Sequence, residues 1–209
     1  MVKTAILVSG GGTNLQAIID AHSAGDIPNC ELTAVISSDP TAYALERARI
    51  AGIPGHVLKP DGFKHRREYS SAIGDMLLNL SIELVVLAGF NFVLNPALCE
   101  KFENRIINVH PSLIPAFCGE GCYGLRVHEM ALDYGVKVSG ATVHFVTAEP
   151  DAGPVILQKS VEVLSDDTPE SLQRRIMEEA EWQILPRAIA LFCQGRLHVD
   201  GRVVRFTAD

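Results

Sequence analysis

Short apolar runs alternate with stretches of helical periodicity along the first half of the chain, and this alternation constrains the fold more than any other feature. Residues 2–9, 32–37, 56–58, 84–88 and 105–109 read as strands. Between them, residues 14–24, 43–51 and 66–79 read as helices, the first turning Leu15, Ile18 and Ile19 inward, and a short helix starts at Pro96. Strands that take turns with helices build a parallel sheet covered by those helices. The expected architecture is α/β: a Rossmann-like open twisted sheet, mostly parallel, with helices on both faces.

The pattern changes after His110. Residues 111–124 mix glycines, prolines and cysteines without periodicity and read as a long functional loop. A helix over 127–134 follows, then two strands, 137–146 and 154–163, close enough to pair antiparallel. The last helix begins near Asp167-Thr168-Pro169-Glu170, with Asp167 or Thr168 as N-cap and a proline at a permitted early position. Its apolar stripe runs from Leu172 through Ile176, Ala180, Ile184 and Ala188 to Leu191, with a kink expected at Pro186. On that wheel Glu178, Glu179 and Glu181 fall on the outer face. Val199-Asp200-Gly201-Arg202 reads as a hairpin turn between two short tail strands. Residues 1–209 are expected to form a single domain, with a short helix and hairpin tail from about 167.

Composition excludes some classes of function. A net charge of −7 argues against a nucleic-acid surface. It leaves room for a small anionic ligand, because backbone N–H groups bind phosphate without net positive charge. No export signal or membrane-length apolar run is visible, and five scattered cysteines read as reduced thiols, so a cytoplasmic protein is expected, as monomer or homodimer. Cys118 and Cys122 resemble half of a zinc site near His110 or His128, but no second pair follows and no metal is expected.

Four segments carry possible chemistry. Ser9-Gly10-Gly11-Gly12-Thr13-Asn14 joins the first strand to the first helix and suits an anion at the helix start. It lacks the Gly-Lys-Ser/Thr of a P-loop, and Leu15 stands at the third glycine position of the dinucleotide fingerprint, so a monophosphate fits better than a pyrophosphate. Ala88-Gly89-Phe90 follows the most apolar strand, again at a carboxyl end. Pro111 has no N–H for a ladder and restricts its predecessor to extended conformations, so the strand must end at His110. Asn108 and His110, two residues apart, then leave the same face, placing a hydrogen-bond donor beside an acid/base group. Asp151, in the turn Asp151-Ala152-Gly153-Pro154, offers a carboxylate able to hold that imidazole and raise its pKa. His144 reads as a satisfied core or surface histidine. Lys59, Lys64, His65, Arg66 and Arg67 read as a solvated helix entry, able to meet a carboxylate-rich ligand such as a polyglutamylated folate.

Together, residues 9–18, 88–90, 108–115, 143–158 and the final helix resemble the folate-dependent formyltransferases. Asn-x-His-Pro-Ser-Leu-x-Pro with a later Asp-x-Gly-Pro-Val-Ile is specific for that family, and Gly-Gly-Thr-Asn-Leu-Gln points to its glycinamide ribonucleotide branch. The resemblance implies transfer of a formyl group from 10-formyltetrahydrofolate, as co-substrate, to the amine of 5′-phosphoribosylglycinamide in purine biosynthesis. It also implies residue roles. Gly12, Thr13 and Asn14 would hold the substrate phosphate, and Glu181 would contact the same substrate. Arg66, Asn91, Phe92, Val93, Leu94, Asn108, Thr147, Ala148, Glu149, Pro150 and Asp151 would form the folate site. Asn108, His110 and Asp151 would be catalytic, His110 as general acid kept protonated by Asp151. The chain departs from the family pattern at residues 116–122 and at Trp182, where histidine is frequent.

Other readings are a formyltransferase acting on aminoacyl-tRNA or a nucleotide-sugar, a formyltetrahydrofolate hydrolase, and a non-catalytic folate or nucleotide sensor. The first usually carries an extra carboxyl-terminal domain and the second an amino-terminal regulatory domain, whereas Met1 here starts directly on the first strand. The sensor leaves Asn108, His110 and Asp151 without a shared purpose.

Overall fold

A computed structural model describes residues 1–207 of the chain. The strands are β1 (Val2–Val8), β2 (Cys30–Ser37), β3 (Gly55–Val57), β4 (Leu84–Leu87), β5 (Ile106–His110), β6 (Val138–Phe145), β7 (Val155–Glu162), β8 (Leu197–Asp200) and β9 (Val203–Phe206). The helices are α1 (Thr13–Ala24), α2 (Tyr43–Ile50), α3 (Arg66–Asn79), α4 (Pro96–Lys101), α5 (Leu125–Tyr134), α6 (Pro169–Ile176) and α7 (Trp182–Cys193). Among the described residues one nine-stranded sheet runs in the order β3-β2-β1-β4-β5-β6-β7-β9-β8.

From β3 to β5 every neighbouring pair is parallel, while β5–β6 and β6–β7 are antiparallel. The α/β reading of the sequence therefore holds, including the late antiparallel pair. Helices cover both faces. Leu15 and Ile18 of α1, Ala44 and Ala48 of α2, Ala131 of α5, Leu172 and Ile176 of α6 and Leu185 and Ile189 of α7 pack in one layer. Tyr69, Ile73 and Leu77 of α3 with Leu98 of α4 pack in the other. Chain order reverses at β1, whose two neighbours are β2 and β4, which makes its carboxyl end the switch point where ligands of open α/β sheets bind.

The late part adds two features that local periodicity does not predict. The tail strand β9 joins the main sheet beside β7, through the Val155–Val203 pair, instead of forming an isolated hairpin. The final helical segment is also interrupted. Thr168 caps α6, accepting from the Ser171 N–H while Ser171 Oγ accepts from the Thr168 N–H. A π-helical turn, Met177–Glu181, then separates α6 from α7. Pro186 lies inside α7. The departure from α geometry thus falls in the turns before the proline, which lacks an N–H and crowds the carbonyl four residues earlier. No described helix is long and apolar enough to cross a membrane.

Candidate active site

Three loops meet at the carboxyl ends of the central strands. The Ser9 N–H donates to the Gly89 carbonyl at 3.0 Å, and the Asn91 N–H donates to Ser9 Oγ at 3.0 Å. Leu87 of β4 stands opposite Asn108 of β5, which places the amide beside the Gly89 turn. Gly12, the N-cap of α1, has φ +71°, and a Cβ there would lie 2.7 Å from the Ala44 side chain. Gly12 therefore allows α1 and α2 to approach, whereas Gly10 and Gly11 face open space. The sequence motif thus divides its labour: one glycine serves packing, and two leave room at the helix start.

As Pro111 requires, β5 ends at His110. Ile107 and Val109 pack into the layer of α1 and α7, so Asn108 and His110 leave the opposite face together. The antiparallel register sets His144 opposite Asn108 and Thr142 opposite His110. Asn108 Nδ2 donates to His144 Nε2 at 3.3 Å, while His144 Nδ1 donates to the Phe145 carbonyl at 2.8 Å. His110 Nε2 donates to the Phe117 carbonyl at 2.9 Å, which leaves Nδ1 as the nitrogen that gains and releases a proton.

Asp151 lies between the two rings. Its Oδ2 is 3.5 Å from His110 Nδ1 and its Oδ1 is 3.5 Å from His144 Nε2. The Gly119 N–H also donates to Oδ2 at 2.9 Å. Asp151 adopts φ +54°, an uncommon conformation for a residue with a Cβ. Its place is enforced by Gly153, where an added Cβ would fall 1.8 Å from the Phe145 carbonyl oxygen. His144 is the buried, satisfied histidine that the sequence suggests, and its ring also touches both Asn108 and Asp151.

Burial would push the Asp151 carboxyl up, but His144, the nearby His110 ring and the Gly119 N–H outweigh it and hold it below the usual carboxylate range. The balance at His110 runs the other way. Burial pushes the imidazole below its ordinary value; Asp151 and the Phe117 carbonyl oppose this without cancelling it. Asp151 favours the imidazolium, and burial opposes it more strongly. A developing negative charge nearby would add the missing stabilisation.

Asn14 and Glu181 also meet. Asn14 Nδ2 donates to Glu181 Oε2 at 2.7 Å, and both residues are buried. This corrects the outer-face placement of Glu181: the π-turn advances the helix phase and swings the carboxyl inward. Burial pushes that carboxyl up to about 7. Thr13, next to Asn14 in the chain, is half-buried at the start of α1.

The remaining predicted residues lie at the start of α3 and in the loops after β4 and β6. Arg66 is the exposed first residue of α3, amid the exposed Lys64, His65 and Arg67. The Tyr69 ring, one turn further along α3, meets Phe92 edge-on at 5.3 Å. Asn91 and Val93 are exposed and Leu94 is buried. Thr147, Ala148, Glu149 and Pro150 form an exposed turn before Asp151, with Thr147 Oγ1 donating to the Glu149 carbonyl. Cys118 Sγ donates to the Pro115 carbonyl and Cys122 Sγ to Met130 Sδ. Among the described residues no group of three or more His, Cys, Asp or Glu is arranged to hold a metal ion.

The sequence matches a known family along nearly the whole chain. The family model described as formyl transferase matches residues 2–189. The chain belongs to the formyl transferase family. Phosphoribosylglycinamide formyltransferase of Haemophilus influenzae is 42% identical over 199 residues, which cover 95% of this chain and 91% of that formyl transferase. The crystal structure of glycinamide ribonucleotide transformylase 1 from Symbiobacterium toebii superposes with a TM-score of 0.93 at 46% identity, covering 100% of this chain and 95% of that one. A formyltetrahydrofolate deformylase from Pseudomonas syringae shares the formyl transferase fold at 25% identity and TM-score 0.88, but this chain spans only 66% of it.

Proposed function

We propose that the protein transfers the formyl group of 10-formyltetrahydrofolate to the amine of 5′-phosphoribosylglycinamide, a step of purine biosynthesis. The observation that carries this reading is the Asn108–His110–His144–Asp151 cluster, set at the carboxyl end of the central strands on the same edge as a neutral glycine loop. The near full-length likeness to phosphoribosylglycinamide formyltransferases supports the same choice of substrates. A deformylase reading is less favoured, since that relative is more distant in sequence. The setting is cytoplasmic and the partners are small molecules, not nucleic acid.

In this reading the phosphate lies at the start of α1, against the backbone of Gly12, Thr13 and Asn14. Glu181, held by Asn14, faces the same substrate. The reduced folate occupies the rim between Arg66, residues 91–94 and residues 147–151. Its formyl carbon then lies near His110. The substrate amine attacks that carbon, forming a C–N bond and a tetrahedral oxyanion. The Asn108 amide and the protonated His110 Nδ1 donate to the oxyanion. Collapse breaks the bond between the formyl carbon and the folate nitrogen, and the proton lost by the amine ends on that nitrogen. Asp151 stabilises the imidazolium and orients a water that carries the proton across.

Purified protein given both substrates should convert formyl donor to tetrahydrofolate only when phosphoribosylglycinamide is present. Equal release of formate without the amine acceptor would favour a hydrolase, and tight binding without turnover would favour a sensor.

A further inference from the structure

The glycine loop is neutral, whereas a phosphate monoester carries close to two negative charges at neutral pH. A cation stands against it from the neighbouring helix. Arg47, on α2, donates from Nε to the Gly11 carbonyl and from Nη1 to Gln16 Oε1, both at 2.8 Å. Its guanidinium carbon lies 5.0 Å from the centre of the Tyr43 ring. Its Cδ is 3.4 Å from the position that a Gly12 Cβ would occupy. The side chain is thus half-buried and fixed by two hydrogen bonds and an aromatic face. Nη2 has no hydrogen-bond partner among the described residues.

Arg47 and Thr13 face the same open groove, about 500 Å³ in volume, whose walls also include Gln16 and Trp182. Arg47 is the sole cation among the residues lining it. Further along α1 and just past its end the groove is acidic, with Asp20 and Asp26. Gln16 bridges the two signs, accepting from Arg47 and donating to Asp20 Oδ1 at 2.8 Å. An anion entering the groove is therefore confined to the loop end, between the start of α1 and the guanidinium.

We propose that Arg47 is a phosphate-binding residue of this site, reaching the substrate's monoester from the α2 side while its Nε braces the loop. This rests on the formyl-transfer reading above. A guanidinium is suited to the task because its planar fork donates through two parallel N–H bonds, and here it is already held in place before the ligand arrives.

The test compares Arg47→Met and Arg47→Lys with the parent protein on phosphoribosylglycinamide and on its dephosphorylated analogue. Loss of a charge-assisted bond predicts a KM for the phosphorylated substrate raised about 10- to 100-fold in Arg47→Met, with kcat changed little. Activity on the dephosphorylated analogue should stay unchanged, and Arg47→Lys should recover part of the loss. Equal impairment on both substrates, or none on either, would overturn the proposal and leave Arg47 a brace alone. If the parent protein transfers no formyl group, the functional reading fails separately. Calorimetric titration with inorganic phosphate then decides on Arg47: weaker binding in Arg47→Met upholds it, and equal binding rejects it.

Discussion

Asn14 and Glu181, 167 residues apart, share a buried hydrogen bond of 2.7 Å that ties the glycine loop to the start of the last helix. The carboxyl at its far end is pushed up to about 7 by burial, against the pull of Asn14. An unfolded glutamate titrates near about 4.3. Between these values the folded chain keeps a proton that the unfolded chain has released, so stability falls as pH rises through that window. The loss is on the order of 3 kcal/mol, complete above about pH 7. Glu181→Gln should remove it, and Gln can also donate to Asn14 Oδ1, which has no partner among the described residues. Urea denaturation at pH 5 and pH 8 checks this: the variant should gain on the parent at the higher pH, and an equal difference at both would contradict it.

In the proposed reaction, His110→Ala and Asn108→Ala each remove one donor to the oxyanion. Each should lower kcat about 100- to 1000-fold with KM nearly unchanged, as expected for interactions made mainly in the transition state. Steady-state kinetics with both substrates varied decides the point. A rise in KM matching the fall in kcat/KM, at constant kcat, would reassign the residue to ground-state binding.

The Asp151 carboxylate pulls the His110 pKa upward against burial. Asp151→Asn removes that pull, so the imidazole should titrate at a lower pH in the variant than in the parent. The sign follows from charge alone, since an anion 3.5 Å from Nδ1 favours the protonated ring. NMR observation of the His110 ring resonances across pH 4–8, a range of about four units around the ordinary histidine value, measures the shift. A midpoint that stays fixed or rises would show that Asp151 is not coupled to the ring.

Gly153→Ala is expected to damage both stability and catalysis. The new methyl would sit 1.8 Å from a backbone oxygen of β6, which cannot yield as a flexible side chain would. The Phe145 N–H bond to the Pro154 carbonyl must lengthen, and Asp151 moves with it. A cost of about 1–3 kcal/mol, or failure to fold, is expected. Thermal unfolding measures the first effect, and kcat of any folded protein measures the second. An unperturbed melting temperature would argue that the turn adapts.

Much of this site is legible in the sequence because its determinants are local. Pro111 ends β5, the two-residue strand period aligns Asn108 with His110, and the glycines mark the loop after β1. What escapes local reading is set by partners distant in sequence. His144 becomes a site residue through its register opposite Asn108, and an alternating strand carries no sign of which neighbour it will face. Glu181 turns inward because five residues form a π-turn, a phase change invisible to a helical wheel drawn at constant spacing. The tail strand joins β7 through a single pair with Val155, which no turn motif encodes. The ionisation of His110 depends on the surrounding burial, and a nearby carboxylate in the sequence gives only one of the opposing contributions.

In the order β3-β2-β1-β4-β5-β6-β7-β9-β8, β5 is the middle strand, with four on either side. Edge strands fray first, and backbone amides exchange with solvent fastest where opening needs the fewest bonds broken. The amides of Asn108 and His110 should therefore be among the last to exchange deuterium, while those of β3 and β8 exchange early. His110, the proposed acid/base group, is mounted on the least yielding part of the sheet, and its partners Phe117 and Asp151, the latter held by the Gly119 N–H, come from loops. Adjustments during turnover are thus assigned to the loops, around an imidazole whose backbone anchor stays still.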